Sequence, residues 1–239
     1  MLNNIDFDEV KKFSALAKHW WDKNGKCKPL HIINPLRVDY IQKQCTNLTN
    51  QNILDVGCGG GILTESLAKL GANLTGIDMS AEALTVAKNH AHESKLAINY
   101  QQTSVEEFAK QNPQQFDVIV CMELLEHVPN PQSVITACGE LLKPNGKLFL
   151  STINRNQKAK FLLIYAAEYI ARLVPTGTHD FNRFIRPSEL MDYVTKAKLT
   201  TTDIIGMEYH LLKNQFKLGE NVDVNYILQA SKFRFWEKD

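Results

Sequence analysis

No two cysteines in this chain form a C-x-x-C pair, and none of the five (Cys27, Cys45, Cys58, Cys121, Cys138) falls at a zinc-ligand spacing. They are expected to be reduced thiols, mostly filling a core. No apolar run reaches the length of a membrane span. The opening stretch MLNNIDFDEV has no cationic segment followed by an apolar one, and its two Asp and one Glu argue against a transit peptide. An excess of one charge is also missing. The 27 Lys and Arg face 26 Asp and Glu, for a net charge of +1, so a broad polyanion-binding surface is not expected and nucleic acid is not a partner. Internal repeats and low-complexity tracts are absent. The 239 residues, 44% hydrophobic, suffice to bury a core as one domain, expected in the cytoplasm.

What the chain does contain is alternation. The segments 6–22 and 34–45 read as amphipathic helices, the second with Asn34 as cap and Pro35 in the first helical position. Strands are expected at 52–56, 73–77, 97–102, 116–121 and 147–152, with helices at 61–70, 80–93, 105–110 and 131–142 between them. FDVIVC and its like are apolar without alternation, as in a parallel sheet covered on both faces. Beyond it lie an apolar helical segment (158–174), a helix at 187–197 opened by Pro187, and strand-like runs near 203–210 and 222–230. This pattern predicts an α/β fold, a doubly wound, mostly parallel seven-stranded Rossmann-like sheet with N-terminal helices and a helical insertion after strand five. Along 1–239 the parts are a helical cap (1–47), a cofactor-binding core (48–152), a helical lid or insertion (153–200), and C-terminal strands with a tail (201–239).

The sequence ILDVGCGGGILTE, residues 53–65, places glycines at 57, 59, 60 and 61 directly after the first strand. In such sheets ligands lie beyond the carboxyl ends of the strands, and glycine there permits a tight turn and a close backbone approach. A dinucleotide fingerprint counted from Gly57 needs glycine at 62, where Ile62 stands. Asp78, at the end of the second strand, is placed to accept two ribose hydroxyls. Asp55, ahead of the loop, would repel a diphosphate but welcome an ammonium. S-Adenosylmethionine satisfies both: its ammonium suits Asp55, its carboxylate suits loop or helix N–H groups, and its ribose suits Asp78.

D-x-G-x-G-x-G with a downstream Asp resembles the cofactor site of the class I S-adenosylmethionine-dependent methyltransferases. The N/D-P-P-Y/F loop of nucleic-acid amino-methyltransferases is replaced here by MELLEHVPNP. Longer stretches, KHWWDKNGKCKPLHIINPLR (18–37), CMELLEHVPNPQSV (121–134), STINRN (151–156), VPTGTHDFNRFI (174–185) and FKLGENVDVNYIL (216–228), resemble the O-methyltransferase family of bacterial ubiquinone biosynthesis. The resemblance covers about residues 7–230 and leaves the tail from 231 unmatched. It implies methylation of catechol-type hydroxyls on polyprenyl-hydroxyphenol and demethylubiquinol intermediates, and cofactor contacts from Arg37 and Met122. The expected cofactor set is therefore Arg37, Asp55, Gly57, Gly59, Gly61, Asp78, Met79, Ser104 and Met122. A non-catalytic cofactor-binding scaffold in a lipid-pathway assembly, beside other ubiquinone-biosynthesis enzymes, is the alternative. The intact loop, Asp55, Asp78 and ELLEH favour the enzyme.

A phenol titrates near 10, so something must remove or offset its proton. Glu123, Glu126 and His127 stand at i, i+3 and i+4 and would converge on one face of a helix. Together they would hold a divalent cation such as Mg²⁺ that binds both catechol oxygens. Alternatively, His127 is the general base, oriented by a glutamate. His179 is a second base candidate. Trp20 and Trp21 either cover the substrate channel or pack on the body. Residues 155–174 are expected to be a mobile lid and interfacial anchor, binding an anionic membrane through Arg155, Lys158, Lys160 and an apolar face. That would place the protein peripherally at the inner face of the membrane.

Overall fold

The computed structural model describes residues 4–161, 180–210 and 215–233. Helix α1 (Phe7–Leu16) is capped by Asp6, whose carboxylate accepts from the backbone N–H groups of Asp8 and Glu9. A 3₁₀ turn, Ala17–His19, ends it, so the helix expected at 6–22 stops early. Helix α2 runs Lys28–Cys45. The core then alternates β1 (Asn52–Val56), α3 (Ile62–Ala68), β2 (Asn73–Asp78), α4 (Ala81–Glu93), β3 (Ile98–Gln102), α5 (Val105–Gln111), β4 (Phe116–Met122), α6 (Pro131–Leu141) and β5 (Leu142–Ile153). After the short turn α7 (Gln157–Ala159) come α8 (Pro187–Lys196), β6 (Thr200–His210), β7 (Gln215–Gly219) and β8 (Asn225–Ser231).

The sheet order is β3-β2-β1-β4-β5-β8-β6-β7. β1 to β5 are parallel, and β8, β6 and β7 add on antiparallel. The doubly wound class is as expected, with eight strands among the described residues where seven were counted. The extra one is β7, a five-residue edge strand. Its polar residues Gln215 and Lys217 alternate with Phe216 and Leu218, and so short a run resembles a loop.

Continuous apolar strands have the reason expected of them. Ile53, Val118 and Val120 face a core shared with Tyr40 and Ile41 of α2 and Leu67 of α3. Their neighbours Leu54, Ile119 and Cys121 face the opposite core, with Phe108, Ile135 and Leu190. Successive strand residues point to opposite faces, and both faces are covered by helices. All five cysteines are free, four buried and Cys45 half-buried.

One helix start is corrected. Helix α2 begins at Lys28 rather than at Pro35, with a proline in its first turn and Pro35 in its interior. Asn34 is therefore no cap; its amide donates to Ser66 Oγ of α3 at 2.8 Å. An interior proline costs about 3 kcal/mol, offset here by burial of Ile33, Tyr40 and Ile41 against the sheet.

Candidate active site

The loop after β1 is fixed by hydrogen bonds to the end of β2. Gly57 N and Cys58 N both donate to Ile77 O, at 2.9 and 3.1 Å. Gly59 N donates to Asp78 Oδ2 at 2.9 Å, and Ser80 N to Asp78 Oδ1 at 2.8 Å. Gly57 (φ +72°) and Gly59 (φ +53°) occupy the left-handed region, which other residues enter at a cost. Burial raises the Asp78 carboxyl above its usual range. Asp55 is 3% exposed and accepts from Thr64 Oγ1 at 2.6 Å. Burial pushes it up to about 6, against the hydrogen bond from Thr64. A buried carboxylate held this way favours a cationic neighbour.

The glycines also admit a side chain of the protein itself. A Cβ on Gly59 would lie 2.1 Å from Trp20, and one on Gly60 would lie 2.3 Å from it. The neighbouring Trp21 donates its indole N–H to Gly60 O at 2.9 Å and stacks on His90, with centroids 3.4 Å apart. His90 Nδ1 in turn lies 2.6 Å from the buried Glu65 Oε1. Both tryptophans thus clamp the N-terminal segment onto the loop.

Glu123, Glu126 and His127 do not converge, which corrects the shared metal site expected of them. The spacing argument needs a helix, but Glu123 follows β4 with φ +53° and the next residues form only the 3₁₀ turn Leu125–His127. Glu123 accepts from Arg37 Nη2 and Ser151 Oγ, both at 2.7 Å, and from Asn225 at 3.2 Å. Glu126 is buried and accepts from Thr152 Oγ1 at 2.8 Å. Burial, then the charge of Glu123, push it up to about 7. His127 Nδ1 lies 2.8 Å from Glu9 Oε2 of α1. Among the described residues no group of three His, Cys, Asp or Glu is arranged to hold a metal ion, so these side chains as placed do not fit a common cation.

All the other expected site residues except Gly61 line one cleft of about 200 Å³ with Glu123 and His127; Glu126 does not reach it. Gly61 lies behind the loop, where a Cβ would meet Tyr100 Oη at 2.3 Å. Ser104 caps α5, accepting from Glu107 N at 3.3 Å, and also lines the cleft. Arg37 is 5% exposed, and its Nε is buried with no hydrogen-bond partner among the described residues. That orphaned donor fits a ligand carboxylate.

Sequence reasoning found the α1 helix but missed its place in the site. Its residues Glu9, Val10 and Phe13, with Ile5 and Asp6 just ahead, line the cleft. The amphipathic pattern marks a buried face but not what that face covers. The basic residues expected to meet lipid each have a partner in the chain but stay at the surface: Arg155 pairs with Glu189, Lys158 with Asp223 at 2.8 Å in a half-exposed pair, and Lys160 lies 4.8 Å over the Phe181 ring. Most of the expected lid, together with His179, falls in 162–179, outside the described residues. No described helix is long and apolar enough to cross a membrane.

A five-strand parallel core, a glycine loop after β1 and an acidic residue closing β2 define a class I S-adenosylmethionine-dependent methyltransferase. The methyltransferase domain family matches residues 54–150. A magnesium protoporphyrin IX methyltransferase from Synechocystis PCC 6803, solved with bound SAH, shares the fold at a TM-score of 0.65 and 18% identity, over 95% of this chain and 94% of that one. Much nearer in sequence are ubiquinone biosynthesis O-methyltransferases. That of Pectobacterium carotovorum subsp. carotovorum (strain PC1) is 54% identical over 95% of each chain. That of Sodalis glossinidius (strain morsitans) is 52% identical over 96% of this chain and 92% of its own. The chain belongs to the ubiquinone biosynthesis O-methyltransferase family.

Proposed function

We propose that the chain methylates catechol-type hydroxyls of polyprenyl-hydroxyphenol and demethylubiquinol lipids, with His127 as general base. The observation that carries the reading is the single cleft that joins the glycine loop, Asp78 and the unpartnered Arg37 Nε to an imidazole. In this reading Asp78 takes the ribose hydroxyls of S-adenosylmethionine, Asp55 its ammonium and Arg37 its carboxylate. Gly57, Gly59 and Gly61 shape the loop, and Met79, Ser104 and Met122 border the adenosine. Bound there, the cofactor supplies an electrophilic sulfonium methyl. Glu123 orders Arg37, and His127 accepts the phenolic proton, a step worth roughly 10²–10⁴ in rate. The polyprenyl tail dissolves in a bilayer, so the protein works from the cytoplasm against the inner face of the membrane, or receives its lipid from another enzyme of the pathway.

Transfer of labelled methyl to a short-chain demethyl-quinol, with and without EDTA, tests this. Turnover should survive the chelator and collapse in His127→Gln with cofactor affinity retained. Absence of transfer by the unaltered protein refutes the activity. Loss in EDTA restored by Mg²⁺ replaces the base with a cation.

A further inference from the structure

The carboxylate on His127 comes from neither glutamate of ELLEH. It comes from Glu9, 118 residues away in sequence, across the mouth of the cleft. Both side chains are nearly enclosed, 14% exposed for Glu9 and 11% for His127. Phe13, one turn further along α1, sets its ring edge-on to the imidazole at 4.9 Å and 85°. Lys12 holds the other carboxylate oxygen of Glu9 at 2.6 Å. The helix itself is anchored on three sides. Ahead of it, Asn4 donates to Glu106 at 2.8 Å. Its cap Asp6 accepts from Arg183 at 2.8 Å, and Ser14 donates to Glu82 at 2.8 Å. These contacts hold the helix from which Glu9 and Phe13 reach the imidazole.

A carboxylate on Nδ1 selects the tautomer with the proton on Nδ1 and the lone pair on Nε2. We propose that Glu9 is the positioning residue of the methyl transfer: it aims Nε2 of His127 and stabilises the imidazolium formed when Nε2 takes the phenolic proton. The inference rests on His127 being the base. In the step, the phenol O–H bond breaks and its proton passes to Nε2. The oxygen electron pair forms the O–CH₃ bond while the C–S pair returns to sulfur, and the imidazolium later gives its proton to water. Because Glu9 sits on α1, which also lines the cleft, one helix both borders the reaction and orients its base.

The groups facing His127 are Glu9 from α1, Glu126 beside it in the chain and Glu123 just after β4. Burial alone would lower the imidazole, but the Glu9 hydrogen bond and these charges leave it raised. Glu9→Gln keeps the shape and removes one charge. It should lower kcat by roughly 10- to 1,000-fold, within what a base contributes, with unchanged cofactor Kd by calorimetry. The acid limb of kcat should move to lower pH, as the imidazole loses the anion that raises it. In a His127→Gln background the same substitution should change nothing further, since residues acting as a unit are non-additive. Lys11→Ala, on the exposed side of α1, is the control and should match the unaltered protein. An unchanged kcat and pH profile in Glu9→Gln, with His127→Gln inactive, overturns the Glu9 role and leaves the base reading intact. Equal losses in both backgrounds overturn it too, because Glu9 then acts without His127. Full activity in His127→Gln removes the base itself.

Discussion

Replacing Glu126 with glutamine is expected to stabilise the protein above neutral pH and leave its stability in acid unchanged. The carboxyl is 4% exposed, outside the cleft, and bonded to Thr152. Burial and Glu123 push it from its ordinary 4.5 up to about 7. Below 4.5 the native and unfolded chains both hold the proton, so stability is indifferent to it. Between 4.5 and 7 the native state keeps a proton that the unfolded chain releases, and stability falls as pH rises. Above 7 the loss is complete. At 1.36 kcal/mol per pH unit, a carboxyl raised in this direction costs the folded state on the order of 1–3 kcal/mol. Glutamine fills the same volume and still accepts from Thr152, but has no charge to bury. For a chain of this size each kcal/mol of that gain corresponds to roughly 2–4 °C in Tm. Thermal unfolding of both proteins from pH 4.5 to pH 8.5 reads it directly: the curves should coincide at the acid end and part through pH 5–7. Parallel curves, or a less stable variant at pH 8, would refute the reasoning.

Two further outcomes follow from the loop and from the basic cluster. Gly59→Ala should lower Tm and loosen the cofactor site, because alanine at φ +53° with a Cβ 2.1 Å from Trp20 must expel the indole; the backbone alone costs roughly 1–2 kcal/mol, and an unchanged Tm would show that Trp20 is not seated there. In liposome flotation, binding should need anionic lipid, weaken with salt and fall in Lys158→Glu/Lys160→Glu; equal binding to neutral vesicles, or none to either, removes the membrane contact.

The parallel half of the sheet could be read from the chain because β1 and β4 are short, buried apolar runs and helices at regular spacing separate the five strands. β7 could not, since an edge strand has one partner and half its residues face water. The cofactor residues were legible for a local reason: the first two strand ends and their loops lie within 25 residues of each other. Arg37, by contrast, was found through resemblance alone, because its partner Glu123 is 86 residues distant. The reading of ELLEH as a helix failed on one dihedral. A positive φ at Glu123 turns three side chains toward three different partners. Glu9 was invisible for the same kind of reason, since no spacing rule links an N-terminal helix to a loop more than 100 residues later.

The paired indoles on the glycine loop also make the protein its own optical probe. It has three tryptophans; Trp20 and Trp21 lie on the loop, one against its backbone and the other stacked on an imidazole, and Trp236 lies outside the described residues. Undocking of the N-terminal segment exposes one indole and separates the other from a neighbouring ring that quenches its emission. Intrinsic fluorescence therefore reports whether the N-terminal segment is seated on the glycine loop, in the unlabelled protein.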